Sequence, residues 1–188
     1  MNKIGIRNRI GQFKDSALGA IQSLIIGVAL LAGATSNGMA QASQATFQAV
    51  DGDSVTLTEN RGKVIVLVFS ATWVPITNKS LPALQRIADV YQQRGVIFYW
   101  VSLNSARAGS NRYASDPDLK AFAEKNGWRQ EVLRDPQMKA FHAFGLDALP
   151  SVVIIDRSGQ VYRKYVGFDI DRTQGYRFMM RPLNRLLK

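Results

Sequence analysis

The run Val64-Ile65-Val66-Leu67-Val68-Phe69 carries no polar side chain on either of its alternating faces. A strand of this kind is buried on both sides, so it requires packed layers above and below it. At six residues it is short for the buried helix that is its only competitor. Val96-Ile97-Phe98-Tyr99-Trp100-Val101 and Val152-Val153-Ile154-Ile155 read the same way. Between the first two runs, Leu81, Leu84, Ile87, Ala88 and Tyr91 recur at helical spacing, and Gly95 ends the pattern. Pro82 lies inside it and predicts a kink. Strand, helix and strand in that order imply parallel neighbours.

Turn chemistry supplies the remaining elements. Asp51-Gly52-Asp53 separates Phe47–Val50 from Val55–Leu57 and predicts an N-terminal β-hairpin. Asp116-Pro117 is expected as N-cap and first residue of a helix closed by Asn126-Gly127. Asp135-Pro136 repeats that device for a helix ending at Gly145. Arg157-Ser158-Gly159 turns the third apolar run into Val161–Val166, and a last helix is expected over about Thr173–Leu187. The expected architecture is α/β: a mixed central sheet flanked by helices on both faces.

The first 42 residues have a different character. Lys3, Arg7, Arg9 and Lys14 precede an apolar run, Leu24–Ala32, that is short for a membrane span. Ala40-Gln41-Ala42 follows as a small-residue cleavage pattern. These features predict a signal peptide over residues 1–42, cut after Ala42, with an uncleaved anchor as the rival reading. Residues 43–188 are then one exported domain, periplasmic or anchored facing the periplasm. The net charge of +10 falls to +7 without residues 1–42. Its basic residues are scattered and no nucleic-acid-binding signature accompanies them, so no nucleic-acid partner is expected. Hydrophobic residues at 46% suffice for a core without metals or disulfides.

Few side chains suggest chemistry. His142 is the single histidine and no cysteine exists, so no metal site and no cofactor is expected. Asp51, Asp53, Asp116 and Asp118 fall in turns or caps, where Asp serves local hydrogen bonds. No glycine-rich phosphate loop is present. Met179-Met180 reads as core filler of the last helix. In that helix Arg177, Arg181 and Arg185 lie on one face and Tyr176, Met180, Leu183 and Leu187 on another. The basic stripe is read as a solvated face, with a peripheral membrane contact as the alternative.

The segment from Gly62 through Phe69 to Ser70-Ala71-Thr72-Trp73, then Pro82, Asp135-Pro136 and Leu149-Pro150-Ser151, resembles the TlpA-like thioredoxins within the wider redoxin (AhpC-TSA-like) group. The resemblance covers roughly Phe47 to Lys188. It implies a thioredoxin-like fold, thiol:disulfide oxidoreductase ancestry, and a cis Leu149–Pro150 bond beside the Trp73–Thr77 loop. The family's Trp-Cys-x-x-Cys frame reads Trp73-Val74-Pro75-Ile76-Thr77 here, so Val74 and Thr77 occupy both cysteine positions. Ser80 stands where many members carry an acid. Thiol exchange needs a thiolate, and valine offers no nucleophilic atom. No catalytic residue is therefore assigned. The expectation is a redox-inactive module that binds an extended peptide or a protein partner of the cell envelope. Its groove is formed by Trp73, Val74, Pro75, Ile76 and Thr77 with Leu149 and Pro150. A cysteine-independent enzyme using Thr77, or chemistry supplied by a partner, is the competing expectation.

Overall fold

The computed structural model describes residues 44–168 and 177–188. The expected signal segment and the expected start of the last helix at Thr173 lie outside the described residues.

Among the described residues seven strands form one sheet. They are β1 (Thr46–Ala49), β2 (Ser54–Thr56), β3 (Val64–Ser70), β4 (Val96–Ser102), β5 (Glu131–Arg134), β6 (Ser151–Ile155) and β7 (Val161–Val166). Their order is β2-β1-β5-β4-β3-β6-β7. β3 runs parallel to β4, and β4 to β5; the hairpin β1–β2 and the pair β6–β7 are joined antiparallel. The helices among the described residues are α1 (Thr77–Tyr91), α2 (Asp116–Lys125), α3 (Lys139–Ala143) and α4 (Met180–Leu186).

β3 shows why the sheet needs two covering layers. Val64, Val66 and Val68 enter one core with Leu81 and Leu84 of α1, Leu119 of α2 and Leu183 of α4. Ile65, Leu67 and Phe69 enter a second core with Phe141 of α3 and Phe144. Alternation along one strand thus feeds both faces. In the second core Phe69 meets Phe141 edge-on at 5.9 Å between centroids, an arrangement favoured by the ring quadrupoles. The indole of Trp100, fully buried in β4, donates to Ser70 Oγ at 2.7 Å, so its polar atom is satisfied inside the sheet.

Four local expectations are corrected. β5 was not foreseen: only Val132 and Leu133 of its four residues are buried, too few to show a period. The N-cap of α2 is Ser115, one residue before Asp116. Its hydroxyl accepts from the Asp118 amide while the Asp118 carboxylate takes the Ser115 amide, a reciprocal box that Asp116 cannot make. Asp135-Pro136 opens a turn, and α3 begins only at Lys139 after Met138 in a left-handed conformation. The buried Asp135 carboxylate reaches ahead to accept the Phe141 amide at 2.8 Å. In the last segment Met179 is buried and Met180 exposed, because a 3-10 turn over Arg177–Met179 shifts the helical phase. α1 continues through Pro82 from Thr77 to Tyr91.

Candidate functional site

The loop that follows β3 and the bend that precedes β6 are brought together by strand register. Phe69 pairs with Ser151 across the antiparallel β3–β6 ladder. The residues just beyond, Ala71 onward on one side and Leu149-Pro150 on the other, therefore leave the sheet side by side. The Leu149–Pro150 peptide bond is cis. Val74 and Leu149 are half-buried and pack against the same core. Ile76 packs on the opposite core, Pro75 is exposed and Pro150 is buried. Gly167 closes this end of the sheet: its φ is +59°, and a Cβ there would stand 3.1 Å from Ala148 Cβ.

Thr77 does not line the groove. It is fully buried, and its hydroxyl donates to the Ala71 carbonyl at 2.9 Å. The hydroxyl closes the turn from which α1 departs. Ser80 is likewise buried, its hydroxyl donating to the Ile76 carbonyl at 2.7 Å. Besides Pro75, the exposed residue of the motif is Trp73, at 40%. The guanidinium of Arg112 lies over its ring, 4.5 Å from the centroid.

Asn104 and Arg112 were not singled out in the sequence. Asn104 is 1% exposed and is the hub of the site. Its Oδ1 accepts from the Thr72 amide and from the Ser102 hydroxyl, each at 3.0 Å. Its Nδ2 donates to Thr72 Oγ1 at 2.8 Å and to the Arg112 carbonyl at 3.3 Å. One amide side chain thus holds the Trp73 loop at Thr72 and the facing loop at Arg112, which sets the stacked pair in register.

Three of the acidic residues considered in the sequence are engaged elsewhere. Asp51 pairs with Lys120, and Asp116 with Arg134. Hydrogen bonds from the Ser115 hydroxyl and amide hold the Asp118 carboxyl below its ordinary value. Asp89 is also held low, by the Gln85 amide and then Arg129. His142 is exposed on α3, its ring edge-on to Phe141. Among the described residues, no three of His, Cys, Asp and Glu gather where they could hold a metal ion.

The AhpC/TSA family profile matches residues 39–164. The chain belongs to the AhpC/TSA family. A curated relative is the thiol-disulfide oxidoreductase ResA of Geobacillus thermodenitrificans, 26% identical over 118 residues. That match covers 63% of this chain and 63% of the relative's length. Among solved structures, a thiol:disulfide interchange protein DsbE of Chlorobium tepidum superposes with a TM-score of 0.63 at 22% identity, over 77% of this chain and 93% of that one. The exposed lipoprotein thioredoxin of Streptococcus pneumoniae gives 0.59 at 25% identity, over 76% and 98%. The fold of this AhpC/TSA member is thioredoxin-like, as its motif order implies. The relatives are named for thiol–disulfide exchange, whereas this sequence holds no cysteine. None of its own side chains can form a mixed disulfide.

Proposed function

We propose that this protein is an exported, redox-inactive member of its family that binds an extended segment of a partner polypeptide across Trp73, Val74 and Leu149. The observation that carries the reading is the backbone of Leu149. Among the described residues it makes no backbone hydrogen bond, although it lies only two residues before the start of β6. A half-buried strand end with an open amide and carbonyl can pair with an added extended chain. The exposed Trp73 indole beside it offers a large, stiff apolar anchor. Export is supported by the basic start, apolar run and Ala40-Gln41-Ala42 pattern. It is also supported by the naming of one structural relative as an exposed lipoprotein.

The enzymic alternative through Thr77 draws no support from the site, because the hydroxyl is already committed to Ala71. A photo-crosslinking residue placed at Val74 tests the binding reading in cells producing the full chain. The expected result is crosslinking to one segment of one partner, lost when Trp73 is replaced by Ala in a chain that still folds. Crosslinks that are diffuse, or that persist unchanged in Trp73→Ala, would refute it.

A further inference from the structure

Three arginines converge in a recess to which no role has been assigned so far. Arg163 of β7 and Arg181 and Arg185 of α4 line a cavity of about 270 Å³ between the edge strand and the last helix. Among the described residues none of the three guanidinium groups has an ion pair or hydrogen bond, whereas those of Arg129 and Arg134 are both matched with aspartates. Arg181 and Arg185 also stand one helical turn apart, where like charges destabilise a helix. A concentration of unpaired guanidinium groups in one recess is unfavourable until an anion enters it.

The strand side of the recess is built by a β-bulge. Ile155 pairs with Val161 but Ile154 pairs with Arg163, so Tyr162 is an extra residue on β7. After the bulge Arg163 and Tyr165 lie opposite Ile154 and Val152, both members of the core that α4 also enters. Tyr162 packs against that same core. The bulge therefore turns Tyr162, Arg163 and Tyr165 all toward α4, which strict alternation forbids. Tyr165 meets Phe178 edge-on at 4.3 Å and donates its hydroxyl to the Phe178 carbonyl, giving the recess a firm aromatic wall.

We propose that this recess is a binding site for a phosphomonoester: a phosphate dianion held by Arg163, Arg181 and Arg185, with its organic group against Tyr162, Tyr165 and Phe178. Three planar forks match the several oxygens and double charge of a phosphate better than the two oxygens and single charge of a carboxylate. The aromatic wall fits an organic substituent better than a bare ion. The same chemistry is offered by a soluble phosphomonoester and by the headgroup of phosphatidic acid.

The test is calorimetric titration of the full-length chain with phenyl phosphate at pH 8, alongside phenol and benzoate. A parallel arm measures co-sedimentation with vesicles of phosphatidylcholine containing phosphatidic acid. One saturable site for phenyl phosphate is expected, with phenol and benzoate much weaker. Arg163→Gln, Arg181→Gln and Arg185→Gln should each weaken it about tenfold or more, the usual effect of losing a charge-assisted hydrogen bond. Arg177→Gln removes the same charge from an exposed residue that does not line the recess, and should change binding less than about twofold. Vesicle binding governed by the same three arginines, without phenyl phosphate binding, would assign the phosphate to a lipid and uphold the site. The proposal is overturned if neither probe binds saturably, if benzoate binds as tightly as phenyl phosphate, or if Arg177→Gln has the same effect as the recess variants. All four arginines are exposed, and thermal unfolding of each variant checks that the fold is retained.

Discussion

Replacing Asn104 by Ala probes the site and the fold together. The substitution removes the acceptor of the Thr72 amide and Ser102 hydroxyl, and the donor to Thr72 Oγ1 and the Arg112 carbonyl. Ser102 is fully buried, so its hydroxyl cannot turn to water; Thr72 is half-buried, so water can partly restore its bonds. At about 1–3 kcal/mol for a buried polar group left unpaired, and less for one that water reaches, the loss sums to about 2–4 kcal/mol. For a domain of this size that lowers the melting temperature by roughly 6–12 °C. Urea unfolding followed by circular dichroism measures the global effect. A local effect is also expected, since Trp100 and Trp128 are buried and iodide quenching of fluorescence reports mainly Trp73. Quenching should rise in Asn104→Ala because the Trp73 loop and Arg112 are no longer tied. As a control, Ser105→Ala removes an exposed acceptor for the Arg107 amide and should cost under about 0.5 kcal/mol. An Asn104→Ala protein that loses less than about 1 kcal/mol and quenches like the parent would refute the assignment of Asn104 as the hub.

Two further outcomes are expected. Thr77→Val keeps the shape of the side chain but leaves the Ala71 carbonyl without its hydroxyl donor, so urea unfolding should show a loss of about 1–2 kcal/mol. Crosslinking from position 74 should be retained; a folded Thr77→Val protein that lost it would point to a direct role for the hydroxyl. Burial, followed by the nearby Asp51 and Asp53 carboxylates, raises the Glu131 carboxyl above its ordinary value. Its charged form is thus disfavoured in the folded state, and stability is lost as pH rises from about 4.5 through the folded value. Glu131→Gln should therefore stabilise the protein at pH 7 and have little effect below pH 4 (denaturant melts across that range test the sign).

The parts of the fold legible in the sequence are those where burial on both sheet faces dictates composition. β3, β4 and β6 are such strands, and their apolar runs can be read directly. β5 escapes because its outer residues carry other work: Arg134 pairs with Asp116, and Glu131 sits near Asp51 and Asp53. The Ser115 cap was legible in Ser115-Asp116-Pro117-Asp118, but the adjacent Asp-Pro pair is an equally ordinary helix start. The site was legible only as a frame. Trp73 and Leu149-Pro150 stand where their motifs place them, whereas Asn104 looked like one more polar residue in a polar loop. Its partner Thr72 lies 32 positions away, and only the β3–β4 pairing brings the two together. Thr77 misleads for a related reason: a hydroxyl at a former reactive position suggests chemistry until its distance to Ala71 is known.

That short bond has a wider consequence. In a chain with paired thiols at these positions, the shape and rigidity of the turn would follow the oxidation state of its surroundings. Here the turn is fastened by a hydroxyl and a carbonyl, which no thiol reagent, oxidant or reductase can open or close. The loop presenting Trp73 keeps one shape whether the medium is oxidising or reducing. Any segment that docked against Trp73 would therefore meet the same fastened turn in either medium.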